Sequence, residues 1–266
     1  MWRILAETAG LYYEAHGPDD APPLILSSGL GGSAGYWQPN IAALAEHFRV
    51  IAYDHRGTGR SDRTCPEGLA LSDLGEDILA LMDALGISTT AIMGHAIGGM
   101  AALEAARAAP RRVDRIVMVN GWASLDPQTA RCFDVRLTLL RKAGREAYLE
   151  AQPLFLFPGD WLSDHDAAVR EEFRHHLANW PGDLTMERRI AAARTFDCRT
   201  WAHEIKVPVL LYCASDDLLV PSFNSTRLQE LLIPHGKGIQ SCFGGHAVNV
   251  TEAAPFNANV LDFLRS

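Results

Sequence analysis

The segment Gly94-His95-Ala96-Ile97-Gly98-Gly99 restricts the fold of this 266-residue chain more than any other part of the sequence. It joins a short apolar run, residues 90–93, to an alanine-rich stretch with helical spacing that ends before Pro110. Glycines surround the central residue because a strand that turns directly into a helix is tight and strained, and larger side chains would clash there. The segment therefore predicts a strand, a sharp turn with Ala96 at its apex, and a helix.

Short apolar runs alternate with helical stretches on both sides of this turn. The apolar runs lie at residues 24–28, 48–53, 113–120 and 207–213, and helical spacing is found at residues 37–46, 71–85, 97–109 and 254–264. Such alternation is typical of βαβ units around a buried parallel sheet. Residues 122–203 instead show helical patterns without a convincing strand. We therefore predict an α/β fold with a mostly parallel sheet flanked by helices. Its core would comprise residues 1–121 and 204–266, and residues 122–203 would form an inserted helical cap.

Composition and charge exclude several classes of protein. Hydrophobic residues make up 48 % and charged residues 21 %, which is the balance of a soluble globular protein. The net charge of −8 disfavours a nucleic-acid surface, because phosphate binding needs clustered lysine and arginine. No apolar run reaches the roughly 18 residues of a membrane span. The first seven residues contain Glu7 where a signal peptide needs a long apolar stretch. We therefore expect a cytoplasmic protein without nucleic-acid or membrane partners.

Cysteine and histidine spacing gives no indication of a bound metal. The five cysteines are widely spaced and form no CxxC motif, which is typical of free thiols in a reducing compartment. No His/Cys cluster has the spacing of metal ligands. Nothing in the sequence requires a nucleotide or organic cofactor, so we predict neither a metal nor a cofactor. The expected partner is a small-molecule substrate. Helix-face patterns in the cap fit a homodimer as well as packing on the core.

The turn at Ala96 has the sequence context of a nucleophile elbow, G-x-S-x-G, in which a serine normally stands at the centre. The methyl group of Ala96 cannot attack a substrate. Two further catalytic residues follow in the order that this arrangement requires, an acid and then a histidine. Asp217 lies four residues before Pro221 after a late apolar run, and we prefer it to Asp216 as the acid. His246 follows two glycines and is the predicted base.

Two backbone N–H groups are the predicted oxyanion hole. Ile97 follows the elbow position and opens a helix, whose dipole favours negative charge. Leu30 lies in the glycine-rich segment 28–32. The predicted pocket residues are Gly29, His95, Trp122, Phe155, Trp161 and Arg136. Arg56 and Arg136 are candidates for binding a carboxylate by residue type only, and a second glycine-rich turn at residues 54–59 is expected to be structural.

These motifs together resemble the α/β-hydrolase superfamily from end to end. They are the oxyanion loop, the D-x-R-G-x-G-x-S-D turn that begins at Asp54, the elbow, the acid and the histidine. Longer stretches resemble a narrower group, the RutD family of the Rut pyrimidine-utilisation pathway. The stretches are residues 119–122, 129–136, 150–161, 213–221 and 244–251. That family is similar at the elbow too, where alanine replaces serine.

The resemblance implies the α/β-hydrolase fold and a role in uracil breakdown. Two reactions are assigned to the family. One converts 3-aminoacrylate to malonic semialdehyde and ammonia, and the other converts carbamate to carbon dioxide and ammonia. Because Ala96 cannot attack, we expect His246, oriented by Asp217, to activate a water molecule.

Three alternatives stay open at this point. The first is a ligand-binding or sensing protein without catalysis. The second is a serine carboxylesterase whose nucleophile was deliberately replaced by alanine. The third is another enzyme class on the same fold, such as a lyase or a cofactor-independent oxygenase.

Overall fold

A computed structural model describes the backbone of residues 2–4 and 10–266 and the side chains from residue 10 onwards. The predicted absence of a signal peptide concerns residues 1–7, most of which lie outside the described part. The described strands form one eight-stranded sheet in the order β1-β2-β4-β3-β5-β6-β7-β8. Their bounds are β1 (Trp2–Ile4), β2 (Tyr12–His16), β3 (Pro23–Ser27), β4 (Arg49–Tyr53), β5 (Thr90–His95), β6 (Val113–Val119), β7 (Val209–Ala214) and β8 (Gly236–Ser241).

The sheet is parallel from β4 through β3, β5, β6 and β7 to β8. Strands β1 and β2 run antiparallel at one edge. The helices described are α1 (Gln38–Ala45), α2 (Leu71–Ala84), α3 (Ile97–Ala108), α4 (Pro127–Leu156), α5 (Gly159–Asp164), α6 (Asp166–Ala178), α7 (Asp183–Thr195), α8 (Phe223–Leu231), α9 (Val248–Thr251) and α10 (Ala253–Arg265). This is the predicted fold class, a mostly parallel sheet flanked by helices.

Both faces of the sheet are buried, which explains the nearly continuous apolar runs of its strands. Successive side chains of a strand point to opposite faces. Accordingly, Ile25, Ile51 and Ile92 belong to the cluster that contains α2 and α3. Leu24, Val50 and Met93 belong to the cluster under α1 and α10. The carboxyl ends of the parallel strands therefore meet at one edge, where α/β folds usually bind their ligands.

Helices α4 to α7 all lie between β6 and β7 in the chain. An isolated antiparallel bridge between Ser124 and Asp197 joins the two ends of this insertion. Helix α4 is broken at Gly144, whose φ of +88° is a conformation that L side chains rarely adopt. The bounds of a separate cap, residues 122 and 203, stay a prediction.

The structure differs from the sequence-based expectations in two places. The sequence of residues 153–158 begins and ends with proline and predicts an interruption of the helical pattern, yet α4 continues through Pro153 to Leu156. A proline in a last turn removes only one backbone donor, and the Phe157 N–H still bonds the Pro153 carbonyl at 3.0 Å. The antiparallel strands β1 and β2 were not predicted, since neither segment has a distinct pattern of alternation.

The described residues contain neither a helix that could span a membrane nor a disulfide bond. Every helix in this part of the chain is too short or too polar to cross a membrane. All five cysteines are free thiols, and four of them are buried.

Candidate active site

The turn between β5 and α3 has the strained backbone of a nucleophile elbow although its apex is alanine. Ala96 has φ of 47° and ψ of −114° and is one of two described non-glycine residues with positive φ. Its neighbours must be glycine. A Cβ at Gly94 would lie 2.3 Å from the Gly99 nitrogen, and a Cβ at Gly98 would lie 2.1 Å from the Ser27 carbonyl oxygen. This packing holds Ala96 and the Ile97 N–H at the carboxyl edge of the sheet.

His246 and Asp217 form a buried pair at the same edge. The His246 Nδ1 lies 2.8 Å from Asp217 Oδ2, and the two residues are 3 % and 5 % exposed. Asp217 Oδ1 accepts the backbone N–H groups of Leu219 and Val220, each at 2.8 Å. Since a carboxylate only accepts, Nδ1 carries the proton and the Nε2 lone pair is left for a base. Nε2 forms no hydrogen bond to any described residue.

The neighbouring carboxylate, Asp216, has a different task. Its two oxygens accept the backbone N–H groups of Gly244 and Gly245 at 3.2 and 2.9 Å. Asp217 therefore holds the imidazole of His246, and Asp216 holds the loop that carries His246. The sequence favoured Asp217 as the acid, and the geometry places it against the histidine.

His95 and Asn120 hold the main chain of the same loop. His95 Nε2 lies 2.8 Å and Asn120 Nδ2 lies 2.6 Å from the carbonyl oxygen of His246. The His95 ring lies between the rings of Tyr36 and His246, with centroid distances of 4.8 and 4.6 Å. Burial, with a smaller effect of His246, lowers the pKa of His95 well below its usual value. His95 supports the main chain of the loop that carries His246, and its predicted place in the lining of the substrate pocket stays a prediction.

A hydrogen bond of the Gly29 carbonyl sets the direction of the Leu30 N–H in the oxyanion loop. The Gly29 carbonyl accepts the Gly32 N–H at 3.0 Å, within a tight turn. A trans peptide points its N–H away from its C=O, so this bond turns the Leu30 N–H to the opposite side. The N–H groups of Leu30 and Ile97 have no hydrogen-bond partner in the described chain. Gly29 must be glycine, since its Cβ would lie 2.5 Å from His95 Nδ1.

Arg189, on α7, holds this loop from the cap and was not singled out by the sequence. It is fully buried. Its Nε donates to the Leu30 carbonyl at 2.9 Å, and an Nη donates to the Gly29 carbonyl at 3.4 Å and to His55 Nδ1 at 3.0 Å. Burial lowers the pKa of Arg189 to about 10, so the guanidinium is still charged at neutral pH.

The glycine-rich turn at residues 54–59 supports the loop from below. The His55 N–H and the Thr58 hydroxyl both donate to the Gly32 carbonyl, at 2.8 and 2.9 Å. The His55 ring lies between Arg189 and Ser27, whose hydroxyl is 3.1 Å from Nε2. Burial and the charge of Arg189 lower the pKa of His55 well below its usual value. The turn therefore has the geometry of a support for the oxyanion loop.

The predicted aromatic pocket residues lie at different depths. Trp122 is 1 % exposed and packs edge-on against Phe133 of α4 at 6.3 Å between centroids. Phe155 is half-buried in the last turn of α4. Trp161 stacks on Phe157 and on His165, at 4.5 and 4.1 Å between ring centroids. Trp122 follows β6 at the carboxyl edge of the sheet. That these three residues line a substrate pocket stays a prediction.

The two arginine candidates differ in their partners. Arg56 forms a two-pronged ion pair with Asp77, which leaves its guanidinium already neutralised. Arg136 is buried and its described partners are the neutral Tyr148 hydroxyl and Gln152 carbonyl. Arg136 therefore keeps its charge unpaired and Arg56 does not.

Several buried polar atoms around the elbow have no hydrogen-bond partner among the described residues. They are Ser28 Oγ, His95 Nδ1, Asn120 Oδ1, Trp122 Nε1 and Arg136 Nε. Folded proteins pair nearly all buried polar atoms, so each of these atoms is open to a water molecule or a ligand. Trp37 Nε1 and Arg49 Nε, elsewhere in the described chain, are unpaired as well. A cleft of about 730 Å³ between α4 and α6 is lined among others by Glu150, Asp166 and Arg170. It contains none of these unpaired atoms.

No three potential metal ligands come together in residues 2–4 and 10–266.

Replacing Arg189 by methionine should destabilise the protein and loosen the oxyanion loop. The Leu30 carbonyl and His55 Nδ1 would lose their buried donor, at about 1–3 kcal/mol for each unpaired group. We expect a matching loss in the free energy of unfolding in urea and faster hydrogen exchange of the Gly32 amide. Arg194→Met is the control, since this half-buried arginine of the same helix bonds Ala130 and Asp134 of α4 and not the oxyanion loop. Unchanged exchange at Gly32 would contradict the role of Arg189.

The free energy of unfolding should decrease as the pH is lowered, because His55 and His95 are buried as neutral side chains. Their folded pKa values lie below the unfolded value of about 6.5, so the unfolded chain binds more protons as the pH falls through that value. Each contributes up to about 1.4 kcal/mol per pH unit below pH 6.5. His55→Asn should reduce this slope in urea unfolding measured from pH 7 to 5, whereas exposed His175→Asn should not. A slope that His55→Asn leaves unchanged would argue against a neutral buried His55.

Comparison with known proteins gives the family. Residues 22–158 match the model of the alpha/beta hydrolase fold family. The chain is 45 % identical over 256 residues to a protein of Agrobacterium fabrum named "Putative carbamate hydrolase RutD", covering 96 % of this chain and 98 % of that protein. A Caulobacter protein with the same name is 47 % identical over 257 residues, covering 96 % of each chain.

A solved structure agrees with the fold. The enol-lactonase of Burkholderia xenovorans superimposes with a TM-score of 0.86 at 27 % identity, covering 96 % of both chains. Together with the near full-length identity to the RutD proteins, this shows that the chain belongs to the RutD family of α/β-hydrolase fold proteins.

Proposed function

We propose that this protein hydrolyses a small, labile substrate by activating water with His246 and Asp217, without a covalent enzyme intermediate. One observation carries the proposal. The backbone of a nucleophile elbow is retained at Ala96, with φ of 47°, beside a His246–Asp217 pair at 2.8 Å. A strained backbone of this kind costs free energy of order 1–3 kcal/mol and persists where surrounding structure enforces it, often at active sites.

His246 has the geometry of a general base. Asp217 holds Nδ1–H, so the Nε2 lone pair can take a proton from a water molecule placed where a serine hydroxyl would otherwise lie. The imidazolium that forms is stabilised by the Asp217 carboxylate, and its proton then passes to the leaving nitrogen. Hydroxide adds to the electrophilic carbon, the C–N bond breaks, and ammonia leaves.

The backbone supports the charge that develops in this step. The N–H groups of Leu30 and Ile97 are the proposed donors to the oxyanion or its equivalent. Proton transfer typically contributes about 10²–10⁴-fold and one oxyanion donor about 10²–10³-fold. These contributions suffice for a substrate that already reacts with water and are too small for a peptide bond. The proposal therefore concerns a labile C–N compound.

Two substrates meet this description. The relatives' name points to carbamate, and the family resemblance adds 3-aminoacrylate. In the second case, protonated His246 gives its proton to the enamine carbon, which forms an iminium ion. The now neutral His246 accepts a proton from the water that adds to this ion, and loss of ammonia leaves malonic semialdehyde. We place the reaction in cytoplasmic pyrimidine breakdown, with no cofactor required by the steps above.

Ammonia release from freshly generated 3-aminoacrylate and, separately, from carbamate tests the proposal. Wild-type protein should accelerate at least one reaction over its blank, and His246→Ala should lose about 10²–10⁴-fold. Asp217→Asn should also be slowed, because the imidazole would lose its charged partner. The exposed His175→Ala is the control and should match the wild type.

Two results would contradict the hydrolase. Either neither substrate is accelerated over its blank, or His246→Ala is as fast as the wild type. Tight binding of a substrate without ammonia release would instead favour the ligand-binding alternative.

A further inference from the structure

Arg136 is a buried cation whose donors are mostly unused. It is 3 % exposed. One Nη donates to the Tyr148 hydroxyl and to Gln152 Oε1, both of them neutral groups. Its Nε is buried without a partner, and its other Nη has no hydrogen bond to any described residue. A guanidinium offers five N–H donors and cannot shed its proton at neutral pH, so this charge lacks a counterion.

Arg189 is a second buried arginine in this protein, and its donors are used by the chain. It is buried as deeply, yet its Nε and both Nη atoms bond backbone carbonyls or His55. An unpaired buried charge is costly unless something compensates it. Neither arginine has a carboxylate partner, but all three donor nitrogens of Arg189 bond the chain, whereas only one nitrogen of Arg136 does. The open donors of Arg136 therefore indicate an anion that is not part of the chain.

The position of Arg136 ties it to the candidate active site. Cys132, one turn earlier on α4, lies with its Sγ 3.8 Å from the Leu218 carbonyl, next to Asp217. At the end of the same helix, the Leu156 carbonyl accepts the Ala247 N–H at 3.0 Å, next to His246. Arg136 lies between Cys132 and Leu156 along α4, and its Cζ is 5.9 Å from the ring centroid of Phe155 in the last turn of that helix.

The guanidinium is also held in place. Tyr148 is fully buried, and its ring packs edge-on against Trp180 at 5.5 Å between centroids while its hydroxyl accepts from Arg136. Gln152, one turn later on the same helix, accepts from the same nitrogen at 3.1 Å. The nitrogen that bonds Tyr148 and Gln152 belongs to both bidentate edges of the guanidinium, so the donors left are Nε–H and the N–H groups of the other Nη. Each can donate a charge-assisted hydrogen bond to one oxygen of an anion.

We propose that Arg136 binds a carboxylate of the substrate, and that this carboxylate is a different group from the carbon that reacts. Arg136 contacts neither His246 nor Asp217 within the described chain, so one substrate would bridge the two positions. Carbamate has its only carboxylate at the reacting carbon, whereas 3-aminoacrylate carries the two groups on different carbons. The substrate class is therefore a short acid with a separate labile C–N group. The assignment of the reacting end rests on the proposed function; the anion site does not.

Binding of acrylate and of its neutral counterpart acrylamide tests this site without turnover. Each compound is titrated into protein labelled with ¹⁵N, and the imidazole signals of His246, assigned with His246→Ala, report binding at the site. Wild-type protein should bind acrylate at least tenfold more tightly than acrylamide. Arg136→Gln should lose that preference. Arg141→Gln, an exposed arginine on the same helix, is the matched control and should keep it.

A second variant covers the case in which Arg136→Gln does not fold. Gln152→Met keeps Arg136 but removes one of its supports, and it should weaken acrylate binding while acrylamide binding stays the same. Equal affinity of the wild type for both compounds would overturn the proposal, as would an acrylate preference that survives in Arg136→Gln or is unchanged in Gln152→Met. Failure of ammonia release with an intact acrylate preference would overturn the hydrolase proposal alone.

Discussion

The close packing of the turn at Ala96 is the constraint on which the rest of the site depends. Gly94 and Gly98 approach other main-chain atoms so closely that no Cβ fits at either position. This contact forces positive φ at Ala96 and starts α3 at Ile97. The same turn thereby directs an N–H group, and the positive end of a helix dipole, towards the edge where His246 lies. Loss of the serine hydroxyl leaves these features intact because they belong to the backbone.

The cap contributes to the site through charged groups as well as through coverage. Arg189 reaches from α7 to the carbonyls of the oxyanion loop, so the orientation of the Leu30 N–H depends on a residue of the insertion. Arg136 of α4 adds a buried guanidinium whose hydrogen-bond partners are neutral. Helix α4 also contacts the loops of Asp217 and His246 at its two ends. Under the proposed function, the inserted helices would therefore bind the substrate and the core would transfer the proton.

The sequence predicted the fold class and the order of the site segments because those depend on local patterns. A tight glycine turn and the alternation of strands and helices show in neighbouring residues of the sequence. The hydrogen bonds by which distant residues hold the site do not. Arg189 bonds Leu30, which lies 159 positions earlier in the chain. No local pattern in α7 distinguishes Arg189 from Arg188. Asn120 has positive φ, which only the structure reveals. The choice between Arg56 and Arg136 likewise required knowing that Asp77 neutralises one of them.

The central claim is that a complete catalytic geometry surrounds Ala96 and lacks only a nucleophile. The most direct measurement is the intact mass of Ala96→Ser after treatment with a fluorophosphonate, which labels serines activated by a nearby base and an oxyanion hole. We expect one covalent adduct on Ala96→Ser, none on the wild type, and none on the double variant Ala96→Ser/His246→Ala. A folded Ala96→Ser protein that stays unlabelled would contradict the claim, because the base and the donors would then not be in position to act on that atom.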